Sequence, residues 1–244
     1  MAYRFATEKE DYSDFASGQV FYSAPGWPAF PVRLASEVFQ RGLALLDKSG
    51  PVSLYDPCCG SAYHLAVLGV LHHAQLASIS ASDIDRASVK MATRNLSLLT
   101  PEGLTERRQA IAADWQQFGK PSHRAALDSA NRIAQQLAEA PPLPTHCFVA
   151  DATKPGAVAA ALPQPVDLVF SDLPYGQLTS WQGQARYNKP IWHLLEQMQA
   201  VLHTQSVVAL AATKGEVVEH EGFRQYGRFR HGKRLITFLK RMQS

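Results

Sequence analysis

The sequence has few cysteines and no long apolar run. Its three cysteines, Cys58, Cys59 and Cys147, form no C-x-x-C pair, so neither a disulfide framework nor a zinc site is expected. No apolar run approaches the ~20 residues that a membrane-spanning helix needs. The first residues contain early acids and no continuous apolar stretch, which is not typical of a secretory leader. These absences predict a cytoplasmic protein with no membrane and no metal as partners, and a monomer is favoured.

Charge is also scarce. Charged residues make up 18% of the chain, and the formal net charge is only +3 at pH 7. The excess is local, because residues 222–244 carry seven Lys or Arg and no acid. Such a basic segment indicates a localised anionic partner such as RNA. A solvated ribbon that merely keeps the protein soluble explains the same charge equally well.

Several short segments are rich in β-branched residues without strict alternation, which is typical of parallel strands buried on both faces. They are 51–56, 76–83, 145–150, 166–172 and 206–213. Helix-like stretches lie between them, at 61–74, 85–99, 154–162 and 188–203. This alternation predicts the α/β class with a doubly wound, Rossmann-like parallel sheet.

Two regions fall outside the alternation. From Pro31 onwards, residues 1–50 carry apolar side chains at helical spacing, which predicts an amphipathic helix packed on the sheet. Residues 100–142 are too long for an ordinary connection, and Pro101 and Pro121 each open a helix-like segment. We therefore predict a single domain over 1–244. Its parts are an N-terminal helical extension (1–50), a core (51–99 and 143–244) and an inserted helical hairpin (100–142, with helices over 102–118 and 122–139).

Aspartates end the first three predicted core strands. Asp56 precedes a tight turn that contains Gly60, and ligands of open parallel sheets bind beyond such strand ends. Asp83, 23 residues after Gly60, is placed to accept from ribose hydroxyls. Asp151 is placed to accept from an exocyclic amine such as that of adenine. Together they predict an adenosine-containing cofactor, although each aspartate alone is a common strand-end or cap residue.

The first turn is poor in glycine, which argues against a dinucleotide. A pyrophosphate site needs G-x-G-x-x-G, whereas the next glycine after Gly60 is Gly69, inside the following helix. Asp56 would also repel a pyrophosphate. S-adenosylmethionine has no phosphate and carries an ammonium and a sulfonium group, so we predict it as the cofactor.

Further residues flank this turn. We expect Cys58 and Cys59 to be small turn-lining residues, with Cys58 against the cofactor, because a thiol nucleophile of a methyltransferase lies near the fourth or a later strand. Phe30 and Pro31 are expected to close over the methionine part, as an upstream Phe/Tyr-Pro segment does in related enzymes. The alternative is a helix N-terminus that simply packs on the sheet.

The fourth strand ends in Asp172-Leu173-Pro174-Tyr175. Asp and Pro alone favour turns, but this one lies beside the predicted cofactor. An exocyclic base amine is a poor nucleophile, so catalysis needs acceptors for its N–H groups. The Asp172 carboxylate and the Leu173 or Pro174 carbonyl are suited to this, and Tyr175 is suited to stacking on the base.

The order of DPCCGS, SDID, ADA and DLPYG resembles class I, Rossmann-like methyltransferases, and DLPYG is similar to enzymes that methylate N2 of guanine in RNA. Longer segments, at 23–41, 56–69, 118–122 and 171–176, resemble the avilamycin-resistance rRNA methyltransferase family. The resemblance covers most of the chain and is weakest after residue 176. It implies methylation of a guanosine in 23S rRNA near the antibiotic-binding region of the ribosome.

Two features depart from this family pattern. The family has a glycine where this chain has Ala62, and alanine is tolerated there if its φ is negative. The basic ribbon 223–241 matches no pattern that we can assign.

Basic and aromatic residues of the insertion and the C-terminal ribbon are the candidates for RNA contact. They are Arg107, Arg108, Lys120, Arg124, Trp181, Arg228, Arg230, Lys233 and Arg234. A solvated helix face explains those of the insertion nearly as well.

The sequence thus predicts an S-adenosylmethionine-dependent methyltransferase acting on guanine N2 in 23S rRNA or the large ribosomal subunit. Resistance to an orthosomycin-type antibiotic would be one consequence. Two alternatives stay open. One is an adenine-N6 or small-molecule N-methyltransferase, and the other is a non-catalytic cofactor-binding module that docks on the ribosome.

Overall fold

A computed structural model describes residues 3–24, 27, 29–162, 164–174, 181, 182 and 189–242. Its strands are β1 (Val52–Asp56), β2 (Leu76–Asp83), β3 (Thr145–Val149), β4 (Val166–Asp172), β5 (Leu202–Thr213), β6 (Phe223–His231) and β7 (Arg234–Arg241). Its helices are α1 (Val32–Leu45), α2 (Tyr63–Leu71), α3 (Arg86–Ser97), α4 (Pro101–Phe118), α5 (Pro121–Leu137) and α6 (Pro190–Met198).

The strands form one sheet in the order β3-β2-β1-β4-β5-β7-β6. Strands β1 to β5 pair in parallel, and β7 pairs antiparallel with both β5 and β6. The chain order reverses beside β1, so the carboxyl ends of β1 and β4 open on a crevice of the kind that binds ligands. The predicted doubly wound α/β fold is confirmed.

Both faces of the sheet are covered, which explains why its strands lack strict alternation. In β4, Leu168 and Phe170 pack into the apolar cluster shared with α1 and α2. Val169, between them, packs into the cluster on the opposite face with α6. No helix among the described residues is long and apolar enough to span a bilayer.

Helix α1 confirms the amphipathic helix predicted in the N-terminal extension, with Pro31 as its N-cap residue. Its buried Glu37 accepts hydrogen bonds from three consecutive backbone N–H groups, those of residues 4–6, at 2.7–2.9 Å. Arg33 donates to the carbonyls of Ala6 and Thr7. The start of the described chain is therefore fastened to α1.

Helices α4 and α5 confirm the inserted helical hairpin. Thr100 caps α4 by accepting from the Gly103 N–H, and Gly119 ends it with a φ of +61°. The insertion packs on the extension, because Asp14 accepts from Ser129 Oγ and from the Arg132 guanidinium. The two regions outside the strand–helix alternation thus contact each other.

The helix predicted over 154–162 is wrong. Its described residues form successive turns, with Lys154 N–H donating to the Asp151 carbonyl and Ala160 N–H to the Gly156 carbonyl. Gly156 follows a proline and has a φ of +73°, a left-handed conformation that interrupts a right-handed helix.

Candidate active site

A cavity of about 600 Å³ lies beyond the carboxyl ends of β1, β2 and β4, a size that is ordinary for small-molecule sites. Residues from all four predicted strand ends line it together with aromatic side chains from the N-terminal extension. They include Trp27, Phe30, Cys58, Gly60, His64, Asp83, Asp151, Asp172, Pro174, Trp181, Thr213 and Lys233. The sheet topology therefore brings together most of the side chains predicted for the cofactor and the reaction.

Asp56 differs from its prediction, because it does not line this cavity. Its carboxylate is fully buried behind the first turn, where Oδ1 accepts from the Cys58 N–H at 2.9 Å and the Ser171 hydroxyl at 2.5 Å. It therefore shapes the turn after β1 and links it to β4. The sequence places Asp56 in the cofactor site as an acceptor for a ligand amine or for a loop N–H, and the structure shows the loop N–H contact, from Cys58.

His64, which sequence analysis passed over, lies between Asp56 and the cavity. Its Nε2 is 3.2 Å from Asp56 Oδ2, and neither atom has a hydrogen-bond partner among the residues that the structure describes. Burial raises the pKa of Asp56 to about 8 and lowers the pKa of His64 to about 4. The two groups are thus uncharged together near neutral pH. The only signal in the sequence was that His64 immediately follows the glycine-containing turn.

The turn after β1 uses left-handed backbone twice. Gly60 has a φ of +52°, and its N–H donates to Asp83 Oδ2 at 2.9 Å. Ala62 also has a φ of +52°, although it is not glycine and its side chain is fully buried. The condition under which alanine was expected to be tolerated, a negative φ, is therefore not met. A non-glycine residue in this conformation costs roughly 1–2 kcal/mol.

The N–H groups of this turn are already used within the protein. Those of Cys58 and Gly60 bond to Asp56 and Asp83, and those of Cys59 and Ala62 bond to backbone carbonyls. A pyrophosphate is held by such N–H groups when they are free. This turn therefore offers little to a phosphate, which agrees with the prediction from its low glycine content.

Asp83 and Asp151 line the cavity at the ends of β2 and β3. Asp83 accepts from the N–H groups of Gly60 and Asp85, which fixes its carboxylate. Asp151 Oδ1 accepts from the Thr153 N–H and hydroxyl at 2.9 and 2.6 Å. Both aspartates are therefore oriented acceptors, as their predicted contacts with a ribose and an amine require.

Cys58 and Cys59 are held as neutral thiols. Burial raises the pKa of both well above that of an exposed cysteine, and nearby aspartates act in the same direction. A thiolate nucleophile is disfavoured in such surroundings. Cys58 lines the cavity, which agrees with its predicted position as a small wall residue.

Phe30 lines the cavity, but Pro31 is not among its lining residues. The Phe30 ring packs edge-on against Phe170 at 5.4 Å, so it is fixed to β4. Pro31 instead ends the approach to α1 as its N-cap residue, which corrects its prediction. Trp27, not predicted for this site, supplies a second aromatic wall.

At the end of β4, Asp172 forms a bidentate ion pair with Arg234 of β7. Arg234 Nε donates to Oδ1 at 3.1 Å and Nη2 to Oδ2 at 3.0 Å. The same guanidinium lies over the Phe30 ring, 4.9 Å from its centroid. Arg234 was predicted to contact RNA phosphates, and the structure turns it inwards to the site instead. Tyr175, the predicted stacking residue, lies outside the described residues.

The basic residues of the insertion have partners within the chain. Arg107 donates to the carbonyls of Gln19 and Val20 and lies over the Tyr22 ring. Arg108 donates to Asn131, and Arg124 pairs with Asp128 while lying over Trp115. For Arg107, these bonds fasten the insertion to the extension, so we no longer expect it to bind RNA. Lys120 lies near the Phe118 ring, 5.8 Å from its centroid.

The C-terminal ribbon is an antiparallel hairpin, β6 and β7, at one edge of the sheet. Arg228 and Arg230 are exposed on β6, the edge strand. Lys233, in the turn between the strands, lines the cavity beside Thr213. The hairpin therefore connects an exposed basic edge to the candidate active site.

The cavity fits S-adenosylmethionine on its chemistry. Its polar wall consists largely of carboxylates from strand ends, which favour a ligand with ammonium and sulfonium groups over an anion. No group of three or more His, Cys, Asp or Glu side chains is arranged to hold a metal ion within the described part of the chain. Asp83 and Asp151 would hold the nucleoside, and Phe30 and Trp27 would cover the other end.

Together the strand order and this cavity define a class I, Rossmann-like methyltransferase that uses S-adenosylmethionine. TrmN from Thermus thermophilus shares this fold, with a TM-score of 0.51 at 14% identity over 86% of this chain and 48% of that one. The particular family follows from closer similarities. The family described as rRNA methyltransferase AviRa matches residues 1–234, and the chain belongs to that family.

Similarity to known proteins supports this assignment. The rRNA methyltransferase aviRa from Streptomyces viridochromogenes has a solved structure with a TM-score of 0.89 at 42% identity, covering 98% of this chain and 96% of that one. A protein of the same organism, named 23S rRNA (guanine(2535)-N(1))-methyltransferase, is 47% identical over 211 residues, which are 86% of this chain and 84% of that protein. That name specifies N1, whereas the sequence analysis predicted N2.

Proposed function

We propose that the protein transfers a methyl group from S-adenosylmethionine to N1 of a guanine in 23S rRNA. The atom is revised from N2 to N1 because the relative at 47% identity is named for N1. The observation that carries the proposal is the Asp172–Arg234 ion pair at the wall of the cofactor cavity. The pair offers an acceptor and a donor side by side, which suits the N1–H and O6 groups of a guanine.

Methylation at N1 poses a different problem from methylation at an exocyclic amine. Guanine N1 carries a hydrogen, so the nucleophilic lone pair becomes available only as that proton leaves. A carboxylate at the site is suited to accept it, and its second oxygen can accept from the neighbouring N2–H group. Asp172 is therefore the proposed proton acceptor, and general-base catalysis of this kind contributes about 10²–10⁴-fold.

Arg234 complements this chemistry. As N1 loses its proton, negative charge develops on the adjacent O6 of guanine. A guanidinium fixed beside Asp172 is suited to donate a hydrogen bond to that oxygen, and preorganised donors of this kind stabilise transition states strongly. The pairing also keeps the carboxylate ionised and oriented before the base arrives.

In the proposed reaction, the N1–H proton passes to Asp172 while the N1 lone pair forms the bond to the methyl carbon. S-adenosylmethionine, when bound, supplies that methyl group on a sulfonium that becomes a neutral thioether. The Pro174 carbonyl is proposed as a further acceptor for the base, and Tyr175 as its stacking partner. The protein's contribution is then positioning, proton acceptance and charge stabilisation.

Two basic groups are proposed to bind the RNA around the target. Arg228 and Arg230 on the exposed edge strand would contact phosphates, and Lys233 would contact the target nucleotide at the cavity wall. Their support is exposure, charge and continuity with the cavity. Lys120 and Trp181 are retained as secondary RNA contacts, whereas Arg108 and Arg124 are engaged by partners within the insertion and are no longer proposed to bind RNA. An enzyme of ribosomal RNA would work in the cytoplasm, where resistance to an orthosomycin antibiotic is a consequence to be tested by growth.

The test uses methyl-labelled S-adenosylmethionine with 23S rRNA, both as naked transcript and as the assembled large subunit. The RNA is digested to nucleosides and separated by chromatography. The expected result is label in 1-methylguanosine, and its loss with Asp172→Asn. Label in 2-methylguanosine or in a methylated adenosine would overturn the proposal.

A further inference from the structure

A second cavity, of about 900 Å³, adjoins the candidate active site. It lies between the start of α6 and the segment 214–222 that precedes β6. Ile191, Phe223 and Leu239 belong to its apolar wall. Trp181 lines both this cavity and the cofactor cavity, so its side chain contacts both.

The aromatic wall of the second cavity is rigid. The Trp192 ring stacks on the His220 ring, with centroids 4.7 Å apart and an interplanar angle of 29°. Its Nε1 donates to Glu221 Oε2 at 2.8 Å. One side of the indole is thus held in place, and such fixed aromatic platforms are what unstacked bases of RNA stack upon.

Three buried side-chain polar atoms at this cavity lack hydrogen-bond partners among the described residues: Trp181 Nε1, Glu216 Oε2 and His220 Nε2. His220 Nε2 lies 2.8 Å from Glu196 Oε2, which leaves Trp181 Nε1 as a donor and Glu216 Oε2 as an acceptor without a nearby polar partner in the described part of the chain. An unsatisfied buried polar group costs about 1–3 kcal/mol. Burial also raises the pKa of Glu216. A ligand with both donors and acceptors would satisfy these atoms.

The charges of the residues that line the second cavity favour one class of ligand. Glu216, Glu219 and Glu221 line the cavity with Lys189 as the one basic residue among the described lining residues. This acidic surround disfavours a phosphate and favours an uncharged ring with N–H groups. A nucleobase meets that description, with its phosphate directed outwards to the basic edge strand.

We propose that this second cavity binds the base of a nucleotide next to the target guanine, stacked on Trp192 and hydrogen-bonded by Glu216 and Trp181. The inference rests on the proposed action on RNA, and it adds a site that recognises the base next to the target guanine. Because Trp181 lines both cavities, its side chain would contact both bases, as adjacent nucleotides splayed from a strand allow.

The test is a scan of RNA fragments that span the target guanine. An abasic site replaces, in turn, each of the two nucleotides on either side of the guanine. Affinity is measured by tryptophan fluorescence titration and methylation by label incorporation. For the wild-type protein, we expect one neighbouring abasic site to weaken binding roughly tenfold or more, since a stacked base is worth about 1–3 kcal/mol. The rate at saturating RNA should change little.

Three variants locate the effect. Trp192→Ala should bind intact RNA as weakly as the wild-type protein binds the abasic RNA, with no further loss when both changes are combined. Trp192→Phe should restore most of the affinity, because it keeps a stacking ring. Glu216→Leu should reduce discrimination between bases at that neighbouring position. Trp115→Ala, on the insertion away from both cavities, is the matched control and should behave as wild type.

The possible outcomes all decide the proposal. Equal binding of every abasic RNA by the wild-type protein, or an abasic penalty that persists unchanged in Trp192→Ala, would overturn it. If Trp192→Ala fails to fold, as circular dichroism would show, Trp192→Phe and Glu216→Leu carry the same comparison. Binding is measured without cofactor, so a failure of the proposed N1 chemistry leaves this readout independent.

Discussion

Arg234 and Asp172 are 62 residues apart in the sequence and meet in a two-bond ion pair. Strand β7 places the arginine there, because Arg234 pairs in register with Thr213 at the end of β5. Asp172 pairs with Ala211 of the same strand. The antiparallel insertion of β7 into the sheet thus delivers a cation to the tip of a parallel strand.

The first prediction concerns this arginine. Arg234→Ala should lower kcat for methylation at least tenfold, because Asp172 loses its orienting partner and O6 its proposed donor. Added guanidinium ion should restore part of the rate, and Arg234→Lys should restore less than the native arginine, since lysine cannot form the two-bond pair. Steady-state kinetics at saturating cofactor measure each effect. A purely structural role predicts lowered stability and no rescue.

A second prediction concerns Asp172 itself. Asp172→Asn should reduce the methylation rate by about 10²–10⁴-fold, because an amide cannot accept the N1 proton. RNA affinity should stay within a few-fold of wild type, as measured by filter binding. Asp128→Asn, which removes a carboxylate from an exposed pair on the insertion, is the control and should retain full activity. Full activity in Asp172→Asn would exclude the proposed proton acceptor.

The buried Asp56 predicts a pH dependence of stability. Burial raises its pKa to about 8, whereas an unfolded aspartate titrates near pH ~4. Its protonated form therefore contributes stability that is complete below pH ~4 and lost as the pH rises through the folded pKa. His64 acts oppositely, because its pKa falls from 6.5 to about 4. Its contribution is present above 6.5 and lost as the pH falls through about 4.

Between pH 6.5 and 8, the pH dependence of the free energy of unfolding therefore comes from Asp56 and not from His64. We expect the free energy of unfolding to decrease over that range and Asp56→Asn to remove the decrease, as urea titrations at several pH values would show. Asp167 provides the control. Burial opposes its ionisation, but bonds from Lys48, Ser53 and His203 lower its pKa to about 2. Asp167→Asn should destabilise the protein equally at both ends of this range.

Ala62 gives a prediction about backbone strain. Ala62→Gly removes the cost of a left-handed alanine but also loses a buried methyl worth about 0.8 kcal/mol and adds chain entropy to the unfolded state. The free energy of unfolding should thus stay within about 1 kcal/mol of wild type. Ala62→Val should cost more than about 2 kcal/mol, since a β-branched residue is an outlier at this φ.

The matched variant for Ala62 is Ala66→Val, at a fully buried position inside α2 with right-handed backbone. It shares the added volume but not the strain. Urea unfolding should therefore rank Ala62→Val as the less stable of the two. The reverse order would show that crowding, and not backbone conformation, dominates in this turn.

The last prediction separates two arginines. Arg107→Met should lower the free energy of unfolding by about 1–3 kcal/mol, because it leaves the carbonyls of Gln19 and Val20 without their donors. Its RNA affinity should stay near that of wild type. Arg228→Ala should leave the free energy of unfolding unchanged but weaken RNA binding. The slope of the logarithm of RNA affinity against the logarithm of salt concentration should become shallower by about one. Loss of RNA affinity in Arg107→Met alone would reverse these assignments.

Much of the fold was predictable because each of the five parallel strands has a local signature, whereas β6 and β7 were not predicted. Aspartates at strand ends and the prolines that open α4 and α5 mark boundaries within a few residues of sequence, and the structure confirms them. The helix expected over 154–162 failed for a local reason as well, since Gly156 interrupts it. The composition of residues 154–162 favours a helix, but the left-handed backbone of Gly156 after a proline interrupts it.

The candidate site was predictable only for residues at the ends of parallel strands. Asp83, Asp151 and Asp172 were found because parallel strands bring their ends to one edge. Arg234 was assigned to RNA because a charged residue in the sequence does not reveal whether its side chain faces solvent or the site. It faces the site because β7 pairs antiparallel with β5. Asp56 was predicted to be part of the cofactor site, but it is buried behind the cavity wall. A position at the end of a strand does not reveal whether a side chain lines a cavity or supports the residues that do.

The bonds from Asp14 to Ser129 and Arg132, and from Arg107 to the segment around Val20, have a consequence for the history of this architecture. Each added region holds part of the other, so deleting the insertion would remove the hydrogen bonds that fasten the extension around Asp14 and Val20. The two decorations are coupled, and an ancestral core that acquired one would gain from the other only when both were present. We therefore expect deletion of the insertion alone to destabilise the extension as well as the insertion's own contacts with the core, and hydrogen exchange of the backbone around Asp14 would measure this.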